Sequence, residues 1–262
     1  LKPLGFTVNW HEFSTGLLSS LNAGSVDLHA DVADAFALFT QAADAPLTYY
    51  AQENSSSSAQ AIIVQDQSPI HSIADLKGKT VAVSKGSGSH YLLISALRKA
   101  GLTLADITPR YLEAPDGGAA FANGSVDAWV IWDPYYAEVE TNAKARLIKN
   151  AEGLVPHYTF YLASRKFAET WPQIASQVVD ELGSLSTWAN QHQEEAAKIM
   201  STSTGLPQPI WQRALARMPF GAERMTPEVF TQQQALADKF TQIGLLPVKV
   251  DIRSATWSLD KQ

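Results

Sequence analysis

The chain has 262 residues, 45% of them hydrophobic and 18% charged, with a formal net charge of -6 and no cysteine. That length can bury one large core or two smaller ones. The acidic balance, with no long basic run, argues against a nucleic-acid partner, the missing cysteine excludes disulfides and thiolate metal sites, and no apolar run is long enough to span a bilayer.

In chain order, Phe6 to Trp10 alternates as a strand does. Phe13 to Ala23 carries Leu17, Leu18 and Leu21 ahead of Gly24 and predicts a short amphipathic helix. A short strand follows at Val26 to Leu28, then a helix over Ala33 to Ala43. Strands are predicted at Leu47 to Ala51 and Ala61 to Gln65, with the polar Asn54 to Ser58 as a loop between them. Ser72 to Leu76 reads as a short helix.

Thr80 to His90, TVAVSKGSGSH, is the segment with most chemistry in it. A β-branched apolar strand runs into a loop holding Gly86 and Gly88, then into a helix over Tyr91 to Ala100 whose start carries Ser87, Ser89 and His90. The first N–H groups of a helix lack intrahelical acceptors, and the helix dipole places partial positive charge there. Glycines allow close approach, and serine hydroxyls and an imidazole add donors, so the segment predicts an anion site. A plain strand-to-helix turn capped by Ser87 fits the same letters. Lys85 precedes the glycines, which excludes a P-loop. Tyr91 stands where a dinucleotide fingerprint has its third glycine, and no G-x-S-x-G elbow is formed.

Thr108 to Leu112 is a predicted strand and Asp116 to Ala122 a predicted helix, with Asp116 as its cap. Asp127 to Trp132 is apolar after its Asp, as a strand covered on both faces requires, and it ends in Trp132-Asp133-Pro134. Asp133 there also reads as an N-cap, with Pro134 opening the next helix. Thr159 to Ala163 is a further strand. Beyond it, Pro172 to Met200, Gln208 to Met218 and Pro227 to Ile243 carry helical spacing, with Val178, Leu182, Leu185, Trp188 and Ala189 as the core face of the first. Alternating strands and helices predict an α/β fold with a parallel sheet whose ligand sites lie beyond the carboxyl ends of the strands. Ser87 to His90 and Trp132 to Asp133 both fall at such ends.

The six histidines show no zinc spacing. His29 and Asp31 share one face of a strand and form the one candidate metal pair. Glu194 and Glu195 read as a solvated helical face. No acid orients the Ser-His neighbours for nucleophilic catalysis.

Several segments together resemble the periplasmic aliphatic-sulfonate-binding proteins of ABC importers, within a wider group that also binds taurine, nitrate and thiamine-precursor pyrimidines. They are Leu21 to Asp27, Ser72 to Leu93, Tyr111 to Phe121, Val126 to Tyr136, Thr159 to Ala163 and Val248 to Arg253, in family order over nearly the whole chain. The resemblance implies a two-lobed type II periplasmic binding protein fold with a ligand cleft between the lobes. Lobe one would be residues 1–68 plus 159–262 and lobe two residues 69–158, with crossings near Gln65 to Ser68 and Thr159 to Ala163. Family members carry an initial strand, loop and helix ahead of the equivalent of Phe6. Where they have a Gly-Asp-x-Pro turn, this chain has His29 to Asp34 without Gly or Pro.

The same resemblance implies a monomeric, exported, periplasmic binding protein, its signal peptide removed before Leu1, that uses no cofactor and no metal. It would hand an aliphatic or aryl sulfonate to an inner-membrane permease. A sulfonate is a permanent monoanion with three acceptor oxygens, so it requires donors and no proton acceptor. Ser87, Gly88, Ser89 and His90 would hold it, with His90 as a neutral imidazole because the dipole disfavours its cation. Trp132 would wall the apolar tail, and Asp133, Asp34 and Thr159 would complete the ligand set. Taurine, nitrate or an aminopyrimidine paired to Asp34 or Asp133 are the other ligand readings. An enzyme of the same fold, either a pyrimidine-precursor synthase or a hydrolase, is the reading from another class.

Overall fold

The computed structural model describes residues 5–11, 20, 23–142 and 145–257, which divide into two compact units. The first comprises residues up to Asn54, Tyr158–Trp188 and the chain from Phe220; the second is Ser55–His157 with Ala189–Pro219.

The second unit is built on a five-stranded sheet in the order β5-β4-β6-β3-β7: β3 (Gln60–Gln65), β4 (Thr80–Val83), β5 (Thr108–Tyr111), β6 (Ala128–Trp132) and β7 (Ala145–Asn150). Period-two alternation sorts its side chains onto two buried faces. Ile62, Val64, Val81, Val83 and Val130 pack with Leu92, Leu93 and Leu97 of a helix over Gly88–Lys99. Ala61, Ile63, Ala82, Trp129 and Ile131 pack with Phe121 and Tyr136 from helices over Ala114–Ala122 and Tyr135–Asn142. Burial on both faces explains why β3, β4 and β6 read as continuous apolar runs.

The sheet is mixed rather than parallel. β4 runs parallel to β5 and β6, whereas β3 is antiparallel to both β6 and β7. An apolar run carries no record of strand direction, so composition could not reveal this. β3 also corrects the expected lobe boundary: it sits inside the second unit's sheet, between β6 and β7, and residues 55–68 belong with that unit. Part of the helical tail does too, since helices over Gln193–Thr204 and Gln208–Leu215 fall within it.

The first unit has a three-stranded antiparallel sheet, β1 (Leu28–Ala33), β8 (Thr159–Ser164) and β2 (Leu47–Gln52), with β8 in the centre. Tyr49 meets Phe160 edge-on at 5.1 Å, and Phe39 of the helix over Asp34–Ala42 lies 5.9 Å from Phe240 of the helix over Pro227–Gln242. On the other face Tyr50, Ala51 and Ala163 contact Val178 and Val179 of the helix over Pro172–Gln191. That helix buries Ser186, whose hydroxyl accepts the Ala222 amide at 3.1 Å, and leaves Leu185 exposed. The helical stripe thus passes one residue beyond the expected Leu185. The predicted run to Met200 breaks at His192, which precedes the Gln193–Thr204 helix.

Two further expectations differ. Phe6 to Trp10 forms no strand; Trp10 is 83% exposed and the segment pairs with no other among the described residues. The predicted helix over Phe13 to Ala23 falls largely outside the described residues. No described helix is long and apolar enough to cross a membrane.

Candidate functional site

β4 ends at Val83 and the loop Ser84 to Ser87 turns it into the Gly88–Lys99 helix. The turn needs a left-handed residue, supplied by Gly86 at φ 75°. Ser84 fixes the loop by donating its hydroxyl to the Leu112 carbonyl at 3.0 Å. Ser87 is the N-cap: its Oγ accepts the His90 amide at 3.2 Å while its hydroxyl hydrogen goes to the Ser84 carbonyl at 2.7 Å. The hydrogen of that hydroxyl and one of its two lone pairs are therefore committed to the turn. The hydroxyl expected as a ligand donor is the helix cap in this structure.

Ser89 and His90 behave differently. Ser89 is fully buried and its Oγ has no hydrogen-bond partner among the described residues; His90 is 1% exposed and its Nε2 has none there either. Its other nitrogen, Nδ1, receives the Gly86 amide at 3.1 Å. The ring meets Tyr111 edge-on at 5.4 Å, and the Lys85 ammonium lies 5.4 Å from the centre of the same tyrosine ring. Burial, reinforced by the Lys85 charge, pushes the imidazole down to about 4, so it is neutral near pH 7. Buried polar atoms are almost always paired. Two atoms without a partner among the described residues, beside the first N–H groups of the helix, form a cluster of donors at this helix start.

β6 lies next to β4 in parallel register, Ala82 opposite Trp129, so Trp132 and Asp133 leave the sheet at the same end as Ser84 to His90. Trp132 is half-buried and packs edge-on to Tyr135 at 6.2 Å. Asp133 is occupied within the chain. Its Oδ1 accepts the Ala137 amide at 2.9 Å, and Arg217 donates to both oxygens at 2.8 and 2.9 Å. Burial pushes this carboxyl up to about 6 against the pull of the arginine. Arg217 also donates to Glu140 at 2.7 Å, and its guanidinium carbon lies 3.9 Å from the centre of the Tyr136 ring. Asp133 is thus the anchor of a buried ion network, and a ligand cation would have to displace Arg217. Asp116 lies inside the first turn of its helix, with Glu113 at the N-cap position.

Asp34 and Thr159 belong to the first unit, where the structure brings them together. Thr159 pairs with Ala33 across β8 and β1, and the Asp34 amide donates to the Tyr158 carbonyl at 3.1 Å. The Asp34 carboxylate accepts the Ala35 amide at 2.7 Å at the start of its helix. Just before it, Asp31 adopts φ 55° where the β1 register shifts between His29 and Val32. This bulge stands where the resemblance noted from the sequence implies a turn with Gly and Pro. Burial and the nearby Glu53 carboxylate push Asp31 up to about 6. Among the described residues no three His, Cys, Asp or Glu side chains are placed to hold a metal, so the His29–Asp31 pair is not extended into a site; His29 instead bonds Ser20 at 3.2 Å.

Sequence reasoning missed Arg217, for which no local signal exists because its partners lie far away in the chain. It also missed Tyr111, whose place at the end of β5 was the available cue.

Comparison with known proteins places these features in a family context. Residues 15–196 match the model of the family described as NMT1/THI5 like. The crystal structure of the periplasmic aliphatic sulphonate binding protein SsuA from Escherichia coli superposes with TM-score 0.89 at 39% identity, covering 95% of this chain and 82% of that one. The alkanesulfonate-binding protein SsuA from Xanthomonas axonopodis pv. citri, solved bound to MOPS, gives 0.85 at 39% identity, covering 95% and 86%. The taurine-binding periplasmic protein of E. coli K12 is 24% identical over 177 residues, 66% of this chain and 54% of that protein.

Proposed function

Because the chain belongs to the NMT1/THI5-like family, we propose that it is the solute-binding component of an ABC importer, a non-enzymatic protein that captures aliphatic or aryl sulfonates. Export to the periplasm and delivery to a membrane permease are part of the same reading, supported by relatives named as periplasmic binding proteins.

The observation that carries it is the pair of buried, unpartnered atoms, Ser89 Oγ and His90 Nε2, at the start of the Gly88–Lys99 helix. The sulfonate oxygens would accept from these two groups and from the Gly88 and Ser89 amides. Hydrogen bonds to a charged partner contribute about 1.5–3 kcal/mol each, so three or four support binding near the micromolar range after association costs. Ser87 would act through the cap it provides, and Trp132, at the same sheet end, would face the apolar tail.

Calorimetric titration of the purified protein with a short alkanesulfonate, taurine, nitrate and the matching alkyl carboxylate tests this. The alkanesulfonate is expected to bind most tightly, and Ser89→Ala to weaken it by about tenfold or more. Absence of heat with every sulfonate would overturn the assignment.

A further inference from the structure

Resting on the anion-site reading above, we infer that His90 is a specificity-determining residue: the Gly86 amide on Nδ1 locks the ring as the Nε2–H tautomer, so the site admits oxyanions that carry no acid proton.

A backbone amide has a hydrogen and no lone pair. At 3.1 Å from Gly86 N, Nδ1 must supply the lone pair, which leaves the proton of the neutral ring on Nε2. A tautomer flip, or protonation of both nitrogens, would set two N–H groups head to head. The titratable groups that face the imidazole among the described residues are Lys85 from the preceding loop and Tyr111 from β5. Lys85 opposes a second positive charge, and burial acts in the same direction.

With Nε2–H fixed, the Gly88 and Ser89 amides are donors as well, and the hydrogen and one lone pair of the Ser87 hydroxyl are committed. Ser89 Oγ is then the acceptor of the cluster that no bond among the described residues already engages. A sulfonate presents only acceptor oxygens. An alkylphosphonate monoanion of the same size and charge presents two acceptors and one acid O–H. Its proton has to be given to Ser89, which turns that hydroxyl away from donating to the ligand, or has to face an N–H. Either way at least one charged hydrogen bond is lost.

The test is calorimetry of the whole chain with butanesulfonate and butylphosphonate at about pH 6, where the phosphonate retains one proton. The sulfonate is expected to bind about tenfold or more tightly than the phosphonate. In His90→Gln the side-chain amide can turn to present either its NH2 or its carbonyl oxygen, so sulfonate binding is expected to weaken and the preference over the phosphonate to shrink to a few-fold. Nitrogen-15 NMR of the imidazole reads the tautomer directly and should show the proton on Nε2, with and without sulfonate. Comparable affinities for the two ligands, an unchanged preference in His90→Gln, or a proton on Nδ1 would each overturn the inference and leave sulfonate capture standing. Failure of butanesulfonate to bind at all would instead remove the reading it rests on, and the inference with it.

Discussion

Arg217 holds both carboxylate oxygens of Asp133, Nε at 2.8 Å from Oδ2 and Nη2 at 2.9 Å from Oδ1, across 84 residues of chain. Neither group is well solvated, the Asp133 side chain being fully buried. A buried pair of this kind contributes little relative to an apolar pair, but breaking it leaves a charge without a partner. Arg217→Met is therefore expected to destabilise the protein by about 3–5 kcal/mol in urea unfolding at neutral pH. Adding Asp133→Asn should recover part of that loss, because the remaining side chain is then uncharged.

The two serines flanking Gly88 should separate cleanly. Ser87→Ala removes an N-cap and is expected to cost about 1 kcal/mol of stability. Ser89→Ala deletes a buried hydroxyl that has no partner among the described residues, so thermal unfolding should be unchanged or slightly raised while sulfonate affinity falls. Loss of stability in Ser89→Ala equal to that in Ser87→Ala would show that Ser89 is structural.

The neutral state of His90 makes stability depend on pH. Burial and the Lys85 charge push this imidazole down to about 4, below its ordinary value near 6.5, so on acidification the unfolded chain takes up this proton first. The contribution is full above about 6.5, declines as pH falls toward 4, and is gone below that, a loss of up to about 3 kcal/mol. Subtracting the unfolding profile of His90→Gln from that of the parent should isolate this slope. A flat difference between pH 6.5 and 4 would exclude a neutral buried imidazole.

Gly117 lies against Trp129: a Cβ there would stand 2.7 Å from the indole Nε1. Trp129 is buried and packed beside Phe121, so the ring has little room to yield. Gly117→Ala is expected to lower stability by about 1–3 kcal/mol, more than the gain of up to about 1 kcal/mol from better helix propensity. Thermal melting would show the sign.

The strands covered on both faces were legible because burial writes itself into β4 and β6 as unbroken apolar runs. β7 was not: Ala145–Asn150 is a half-exposed edge strand in which Leu147 and Ile148 are adjacent and flanked by Arg146 and Lys149, so no alternation marks it. Direction was equally silent, since β3 is as apolar antiparallel to β6 as it would be parallel. At the site, Ser87 and Ser89 look alike in sequence, and hydrogen-bond geometry alone makes one a cap and leaves the other unpaired. Asp133 had a short-range reading as an N-cap; the helix instead begins at Tyr135, so Asp133 stands one residue before the cap position and accepts the Ala137 amide from there, and its charge partner Arg217 sits in a turn beyond the Gln208–Leu215 helix that no local pattern connects to it. The Asp31 bulge was foreshadowed only as a departure from Gly and Pro.

The position of β8 has a bearing on biosynthesis. β1 and β2 do not pair with each other; each pairs with β8, which follows them by more than a hundred residues. All five strands of the other sheet lie within residues 60–150 and leave the ribosome before β8 begins. The first half of one sheet must therefore wait, edges unpaired, while an entire second sheet is completed within its open loop. Such long-range closure is slow, and waiting strands are exposed to wrong partners. The interval between residues 52 and 159 is the stretch of synthesis in which a chaperone would matter most.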